Sequence, residues 1–212
     1  MNDATARQRA VGAWFAAGAL LLLPAVLLAI TGPPSELAHG LEWRPTRTWI
    51  QPWRIWSAAW VHYSQLHLLA NMAGAVLVIA LGIAARMPTR AALAWFMAWP
   101  LTHLALLLRP ELAGYGGLSG VLHAGVAVVA VELILRSGRE RRLGLAIAAV
   151  LLLKIVLEEP WGPALRWPAG WDIAVAPFSH AAGVVAGALC ALLAARLFRD
   201  QPRMRRTSEV VE

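Results

Sequence analysis

Long apolar stretches occupy most of the chain and are separated by short segments rich in arginine, proline or tryptophan. A helix needs about 20 mostly apolar residues to cross a bilayer, and six stretches approach or exceed this length. They comprise residues 11–30, 58–84, 91–108, 118–135, 143–157 and 177–197. The pattern therefore predicts an all-α polytopic membrane protein with six transmembrane helices, of which the fifth is the shortest.

The overall composition supports this class of protein. Hydrophobic residues make up 59% of the 212 positions and charged residues only 15%, so most of the chain cannot face water. The first stretch follows Arg7 and Arg9 as in a signal peptide, but it is long for such a core and residues 30–34 are a poor cleavage site. We expect an uncleaved first span. Without a linker or a convincing repeat, one domain covering 1–212 is expected.

The excess of positive charge indicates the orientation in the membrane. The net charge is +7, and most of the 19 Lys and Arg residues fall on one face of a six-span arrangement. The positive-inside rule places that face, with both termini, in the cytoplasm, where it attracts anionic lipid. Nucleic acid is not an expected partner. The residues on that face are Arg7, Arg9, Arg86, Arg90, Arg136, Arg139, Arg141, Arg142, Arg196, Arg199, Arg203, Arg205 and Arg206.

The two long connections and the single cysteine narrow the chemistry further. Residues 31–57 carry four tryptophans, which is typical of a segment in the headgroup region. Residues 158–176 are rich in proline and glycine, which predicts an irregular outer loop. Cys190 lies within the sixth span without a partner, so a disulfide or a cysteine-based metal site is impossible. We expect no metal and no cofactor.

Two polar residues begin spans that run in the same direction. Ser119 lies in Gly-Gly-Leu-Ser-Gly at the start of the fourth span, and His180 lies in Ser-His-Ala-Ala-Gly at the start of the sixth. Both spans enter from the outer side, so the two side chains are expected at the same depth. Gly183 and Gly187 would let the sixth span approach the small residues that follow Ser119. Because a serine within about 3 Å of a base can act as a nucleophile, the pair predicts catalysis; a purely structural glycine interface is the alternative.

The second span supplies a further polar cluster, His62, His67 and Asn71. His67 and Asn71 are spaced i, i+4 and therefore share one helix face. Polar groups inside a span are costly and tend to mark function, and donors aimed at a developing oxyanion would be one use for them. The alternatives are hydrogen bonds that hold the helices together, or a bis-histidine haem site built from His67 and His180.

Taken in order, these motifs resemble the rhomboid family of intramembrane serine proteases. The resemblance implies a six-helix rhomboid-like bundle and a catalytic dyad, without an acid, of Ser119 as nucleophile and His180 as base. It further implies an oxyanion hole from His67, Asn71 and the backbone N–H of Ser119, membrane-anchored protein substrates, and, as an alternative, a non-catalytic client-binding protein. The matching residues are Trp53, Arg54, His62, His67, Asn71, Gly117, Leu118, Ser119, Gly120, His180, Gly183 and Gly187.

A finer resemblance points to the rhombosortase subgroup. His123 stands where many rhomboids have a tyrosine, and the chain is small and carries Lys154 before Glu158 and Glu159. The resemblance implies a bacterial inner-membrane enzyme that is open to the periplasm. Its substrates would bear a C-terminal Gly-Gly motif, an apolar helix and a basic tail; a general rhomboid protease for single-span substrates is the alternative. His123 and Ser119 are spaced i, i+4, which aligns poorly for proton transfer, so His180 is expected to be the base.

Three further polar residues have weaker interpretations. Lys154 and Glu158 are spaced i, i+4 and are expected to pair with each other or to extend towards the membrane surface, with recognition of a substrate tail as the alternative. Asp172 lies eight residues before His180 and is a candidate third member that could orient it.

Overall fold

The computed structural model describes residues 3–30 and 36–198, and within them the secondary structure is helical, without strands. This confirms the predicted all-α fold. Two short helices, α2 (Glu36–Leu41) and α3 (Arg54–Ser57), precede the site region. The six long helices are α1 (Asp3–Ile30), α4 (Gln65–Ala84), α5 (Thr89–Leu104), α6 (Ser119–Ile134), α7 (Gly138–Glu158) and α8 (Pro177–Leu197).

Length and apolar composition make several of these helices membrane spans. Four described segments are long and apolar enough to cross a bilayer: residues 4–30, 65–84, 89–108 and 177–197. Helix α6 is apolar but shorter, at 16 residues, and α7 has 21 residues with charged side chains in its first turns and in its last turns. These helices confirm a membrane bundle. Arg199, Arg203, Arg205 and Arg206, which contribute to the predicted cytoplasmic charge, lie outside the described residues.

The second span begins at Gln65 rather than at residue 58. Residues Ala58–Trp60 form a 3-10 turn, and Val61 is extended with ψ 128°. Ser64 then caps α4, because its hydroxyl accepts a hydrogen bond from the N–H of His67 at 3.1 Å. His62 therefore lies in a loop before the helix and not in the predicted span.

Helix α6 lies at the centre of the bundle and packs against α4, α5, α7 and α8. Its contact with α8 is the closest, because a Cβ atom on Gly183 would come within 1.9 Å of the Gly120 carbonyl oxygen. One turn further along α8, a Cβ atom on Gly187 would come within 2.3 Å of the Ala124 carbonyl oxygen. The absence of side chains at these two positions allows the two backbones to touch, as in other membrane helix pairs.

Tryptophans fill the space on the other sides of the bundle. Trp14 of α1 occupies the gap left by Gly82 of α4, and Trp95 of α5 occupies the gap left by Gly125 of α6. The Trp14 and Trp95 rings pack with centroids 4.7 Å apart, and the Trp95 indole N–H donates to the Val121 carbonyl at 2.8 Å. Burial of these large rings with their N–H groups paired stabilises the bundle.

An ion pair closes the end of the bundle that carries the first turns of α5 and α7. Arg90 donates to both carboxylate oxygens of Glu132 at 3.0 Å, and Glu132 is only 1% exposed. A bidentate arginine provides the geometry that a buried carboxylate needs. Glu132 is therefore a buried residue that holds the end of α6 against the start of α5.

The opposite end, where α6 and α8 begin, is called the site end below. Here the loop between α1 and α4 is tied to the segment that leads into α6. Trp43 and Tyr115 exchange backbone hydrogen bonds of 2.8 and 2.9 Å. Arg54, 5% exposed, donates to the carbonyls of His39 and Glu42 at 3.0 and 2.6 Å. These bonds give the approach to Ser119 a fixed frame.

Candidate active site

Ser119 and His180 are in hydrogen-bond contact at the site end. The Ser119 Oγ lies 2.9 Å from His180 Nε2, and His180 is 5% exposed. Ser119 is the first residue of α6, and His180 lies in the first turn of α8, which Pro177 begins. The Gly183 contact described above brings these two helix starts together. The distance is within the range required for proton transfer from a serine to a base.

A carboxylate completes the line on the far side of the histidine. His180 Nδ1 donates to Glu158 Oε2 at 2.7 Å, because a carboxylate can only accept. Lys154, one turn earlier on α7, pairs with the other carboxylate oxygen of Glu158. The pairing of Lys154 with Glu158 expected from the sequence is present, but the expected dyad without an acid is not what the geometry contains.

Asp172 does not contact the histidine. Its carboxylate accepts a hydrogen bond from the Ser64 hydroxyl at 2.7 Å, at the start of α4. The interpretation of Asp172 as an orienting acid for His180 is therefore wrong. Asp172 instead ties the loop between α7 and α8 to the cap of α4.

His123 stacks on His180. The two rings have centroids 4.3 Å apart and planes inclined by 14°, and His123 Nδ1 donates to the Ser119 carbonyl oxygen at 2.7 Å. The second imidazole near Ser119 is thus used to pack against the first and to hold the backbone of the serine. It contacts the Ser119 carbonyl and the His180 ring, whereas the Ser119 hydroxyl is paired with His180.

His67 and Asn71 lie together beside Gly117, two residues before Ser119. Gly117 has φ +136°, and a Cβ atom there would meet His67 Nε2 at 2.8 Å and Asn71 Nδ2 at 3.9 Å. Only glycine readily adopts this backbone conformation and leaves the space open. The Tyr63 N–H points to His67 Nδ1 at 3.5 Å, which leaves Nε2 as the donor. Among the described residues, Asn71 Nδ2 is buried without a hydrogen-bond partner.

His62 supports this cluster from the loop. Its ring packs against that of His67 with centroids 4.7 Å apart, and its Nδ1 contacts the Trp60 carbonyl at 3.2 Å. Burial lowers the pKa of His62 to about 4, so it is neutral at pH 7.

A hydrogen-bonded bridge that the motifs did not predict joins the two helix starts. The Tyr115 hydroxyl donates to Ser179 Oγ at 3.1 Å, and the Ser179 hydroxyl donates to the Ala176 carbonyl at 2.8 Å. Tyr115 lies four residues before Ser119, and Ser179 is the residue before His180. Their positions next to the two motifs could have identified them as candidate site residues. Both are buried, and the bridge fixes the segment before α6 against the start of α8.

A cavity of about 1060 Å³ opens onto the serine. Its walls come from α4, α6, α7 and the loop 165–176, and it reaches between Leu77 of α4 and Val150 of α7. The lining is mainly apolar and includes Ser119, His180 and Asn71. Both Leu77 and Val150 are more than half exposed, so this part of the cavity adjoins the apolar outer surface of the bundle.

Three possible metal-ligating side chains lie close together at the site end. Ligand atoms of His123, Glu158 and His180 lie within 4.8 Å of one another. However, Nδ1 of each histidine is already hydrogen-bonded, and the rings are stacked nearly parallel, so their in-plane lone pairs do not converge on one ion. The set fits a hydrogen-bonded chain better than a coordination sphere. Since both ring nitrogens of His180 are engaged, the same argument disfavours a bis-histidine haem site.

The fold and this site define a polytopic helical membrane protein with a serine and a histidine joined inside the bundle. The sequence profile described as Rhomboid domain matches residues 50–197. The chain therefore belongs to the rhomboid family, whose members are generally intramembrane serine proteases that act on membrane-protein substrates. The comparison with curated proteins found no match.

Proposed function

We propose that this protein is an intramembrane serine endopeptidase with Ser119 as nucleophile and His180 as general base. The observation that carries the proposal is the 2.9 Å contact between Ser119 Oγ and His180 Nε2, two residues that line a mainly apolar cavity. The histidine takes the serine proton as the oxygen attacks a peptide carbonyl. It then gives that proton to the leaving amine, and water releases the acyl-enzyme.

The contacts of the second imidazole support this assignment of the base. His123 Nδ1 is committed to the Ser119 carbonyl and its ring lies flat on that of His180. A stacked aromatic partner restricts the rotation of the His180 ring and adds about 0.5–1.5 kcal/mol beyond simple burial. His123 therefore acts as a packing residue, in the position that tyrosine occupies in the proteins the sequence resembles.

The oxyanion of the tetrahedral intermediate would be stabilised beside Gly117. The buried Asn71 amide has an unused donor among the described residues, and the Nε2 of His67 is oriented to the same place. The backbone N–H of Ser119 adds a third donor, because the first N–H groups of a helix have no intrahelical partner. Donors fixed in advance of the reaction are usually the largest single contribution to catalysis.

Gly120 has a different role, because its lack of a side chain keeps the start of α6 close to the Ser179 carbonyl.

The cavity between α4 and α7 supports a substrate that arrives from the lipid. A continuous helix hides its carbonyls in its own hydrogen bonds, whereas a glycine pair lets a segment extend into the cleft. We therefore assign as substrates membrane-anchored proteins with a C-terminal Gly-Gly motif, an apolar helix and a basic tail. With Ser119 at the outer end of α6, cleavage would occur near the periplasmic surface of a bacterial inner membrane, and both termini would be cytoplasmic.

Two other functions give different results in the same experiments. A general rhomboid protease would cut single-span substrates regardless of a Gly-Gly motif. A non-catalytic client-binding protein would need neither Ser119 nor His180, and the aligned pair at 2.9 Å disfavours it.

A fluorophosphonate probe tests the nucleophile directly. Wild-type protein in detergent or proteoliposomes should be labelled, and Ser119→Ala should not, because the probe reacts with an activated serine. His180→Ala should label at a rate close to background while remaining folded. Labelling that persists in Ser119→Ala contradicts the assignment.

Co-expression with an anchored client tests the substrate class. A reporter with a Gly-Gly, apolar helix and basic tail should be released with a new C-terminus near the glycines, and replacement of Gly-Gly by Leu-Leu should slow its release. If this client stays anchored while an ordinary single-span substrate is cut, the protein is a general rhomboid protease.

A further inference from the structure

We propose that Glu158 is a positioning residue for His180, so that the site works as a Ser119–His180–Glu158 triad. This inference rests on the proposed function and extends it. The motive is the 2.7 Å hydrogen bond between His180 Nδ1 and Glu158 Oε2, on the side of the ring opposite Ser119.

The bond determines what the other side of the imidazole can do. Because a carboxylate only accepts, the Glu158 contact requires the proton of neutral His180 to sit on Nδ1. The lone pair is then on Nε2, 2.9 Å from Ser119 Oγ, where it can accept the hydroxyl proton. After that transfer the ring is an imidazolium, and the adjacent negative charge stabilises it. The carboxylate itself keeps its charge throughout and touches no reacting atom.

The end of α7 is shaped to hold this carboxylate in place. Glu158 is the last residue of the helix, and Glu159 adopts the left-handed conformation, with φ 47° and ψ 65°. Pro160 follows and prevents another helical turn. The helix thus stops where the Glu158 side chain, 25% exposed, meets His180.

Arg109 fastens this helix end to the start of α8. Its guanidinium donates to the carbonyls of Pro160 and Gly162, both at 2.7 Å. The same group lies over the ring of Phe178, 5.6 Å from the centroid and two residues before His180. A planar five-donor group can make these contacts together, which a lysine could not. The Arg109 side chain therefore fixes the position of the turn after Glu158 relative to the first turn of α8, which carries His180.

Lys154 and His180 bind different oxygens of the Glu158 carboxylate, so they do not compete for it. Lys154 pairs with Oε1 of Glu158 while His180 uses Oε2. The lysine offsets part of the carboxylate charge and fixes the side chain along α7. The arrangement is a continuous chain from Lys154 through Glu158 and His180 to Ser119.

The neighbouring acid provides a matched control. Glu159 carries the same charge one position later, pairs with Arg166, and has a side chain 52% exposed. Glu159→Gln therefore removes a carboxylate from the same turn without touching His180. Any effect caused only by loss of charge at the end of α7 should appear equally in both glutamine variants.

The experiment measures fluorophosphonate labelling of full-length protein, with the maximal rate (kinact) and the half-saturating probe concentration (KI) determined separately. Glu158→Gln should lower kinact by about 10²-fold or more, since removing the orienting acid leaves the base without its fixed tautomer. KI should change little, because the carboxylate does not contact the probe. Glu158→Asp should recover part of kinact, and Glu159→Gln should match the wild type. Thermal unfolding of each variant checks that the protein is folded.

The outcomes separate this inference from the function on which it rests. If the wild type is labelled at Ser119 but Glu158→Gln has the wild-type kinact, or Glu159→Gln falls as far, the positioning role is overturned while the protease assignment stands. If the wild type is not labelled at all, the proposed function is overturned, and the triad with it. Should Glu158→Gln fail to fold, Glu158→Asp decides: a shorter carboxylate should reduce kinact, and an unchanged kinact overturns the role.

Discussion

Gly183→Ala is expected to separate the two helices that bring the serine and the histidine together. The new Cβ atom would lie 1.9 Å from the Gly120 carbonyl oxygen, and real Cβ atoms essentially never approach closer than 3.0 Å. Helix α8 must therefore move away from α6 by about 1.1 Å at this point. The obstacle is backbone, so it cannot rotate aside as a flexible side chain would.

The displacement translates into a large loss of rate. His180 lies one helical turn from Gly183, so its Nε2 moves from 2.9 Å to roughly 4 Å from Ser119 Oγ, beyond hydrogen-bond distance. A misplacement of about 1 Å can cost about 10²-fold in rate. Overpacking of a close contact also costs about 1–3 kcal/mol of stability. We expect the labelling rate of Gly183→Ala to fall about 10²-fold and its Tm to decrease.

Fluorophosphonate labelling and thermal unfolding in the same detergent check this expectation. Gly187→Ala is the graded comparison, because its Cβ would lie 2.3 Å from the Ala124 oxygen and needs a smaller shift. Gly12→Ala, in α1, is the control, because a Cβ there meets no atom within 4 Å. The reasoning is refuted if Gly183→Ala labels as fast as Gly12→Ala and unfolds at the same temperature.

Three further results are expected. Asn71→Ala should lower turnover of a client by about 10²–10³ with little change in KM; cleavage at the wild-type rate would make Asn71 only a helix-packing residue. His123→Tyr should keep most of the labelling rate, and His123→Ala should lose about 2–10-fold, in line with the energy of one stacked pair; equal rates would mean that the stack is irrelevant. Reporters fused after Glu212 should be cytoplasmic and those within residues 161–167 periplasmic; a periplasmic C-terminus would invert the proposed orientation.

Hydropathy predicted the helices well where apolar residues face lipid, and less well where they face the protein core. Residues Ala58–Trp60 extended the predicted second span because they are apolar, but Ala58 and Ala59 are fully buried in a 3-10 turn. Hydropathy reports removal from water and not helical conformation. The start of α4 is determined by the Ser64 cap, a local hydrogen bond that the pattern of apolar residues does not reveal.

The serine and histidine of the site could be paired from the sequence, but the acid could not. The topology places Ser119 and His180 at the same depth, and the glycines of the sixth span allow the two helices to come close. These two features were enough to predict that the side chains meet. The contact of Glu158 depends on where α7 stops, which the left-handed Glu159 and the Arg109 clamp determine through tertiary contacts. The prediction that Asp172 orients His180 relied on their separation of eight residues. A loop of that length can reach other elements as well, and Asp172 contacts Ser64 at the start of α4.

Helix α6 is too short to reach across an ordinary bilayer. Its 16 residues extend about 24 Å at 1.5 Å per residue, against a hydrocarbon thickness of about 30 Å. If its far end is level with the lipid headgroups, Ser119 lies several ångströms below the opposite surface. The depth of the serine below the bilayer surface then determines which residue of a substrate's membrane anchor lies beside it. In a thicker membrane the serine would be deeper, so the cleaved bond would lie further inside the anchor.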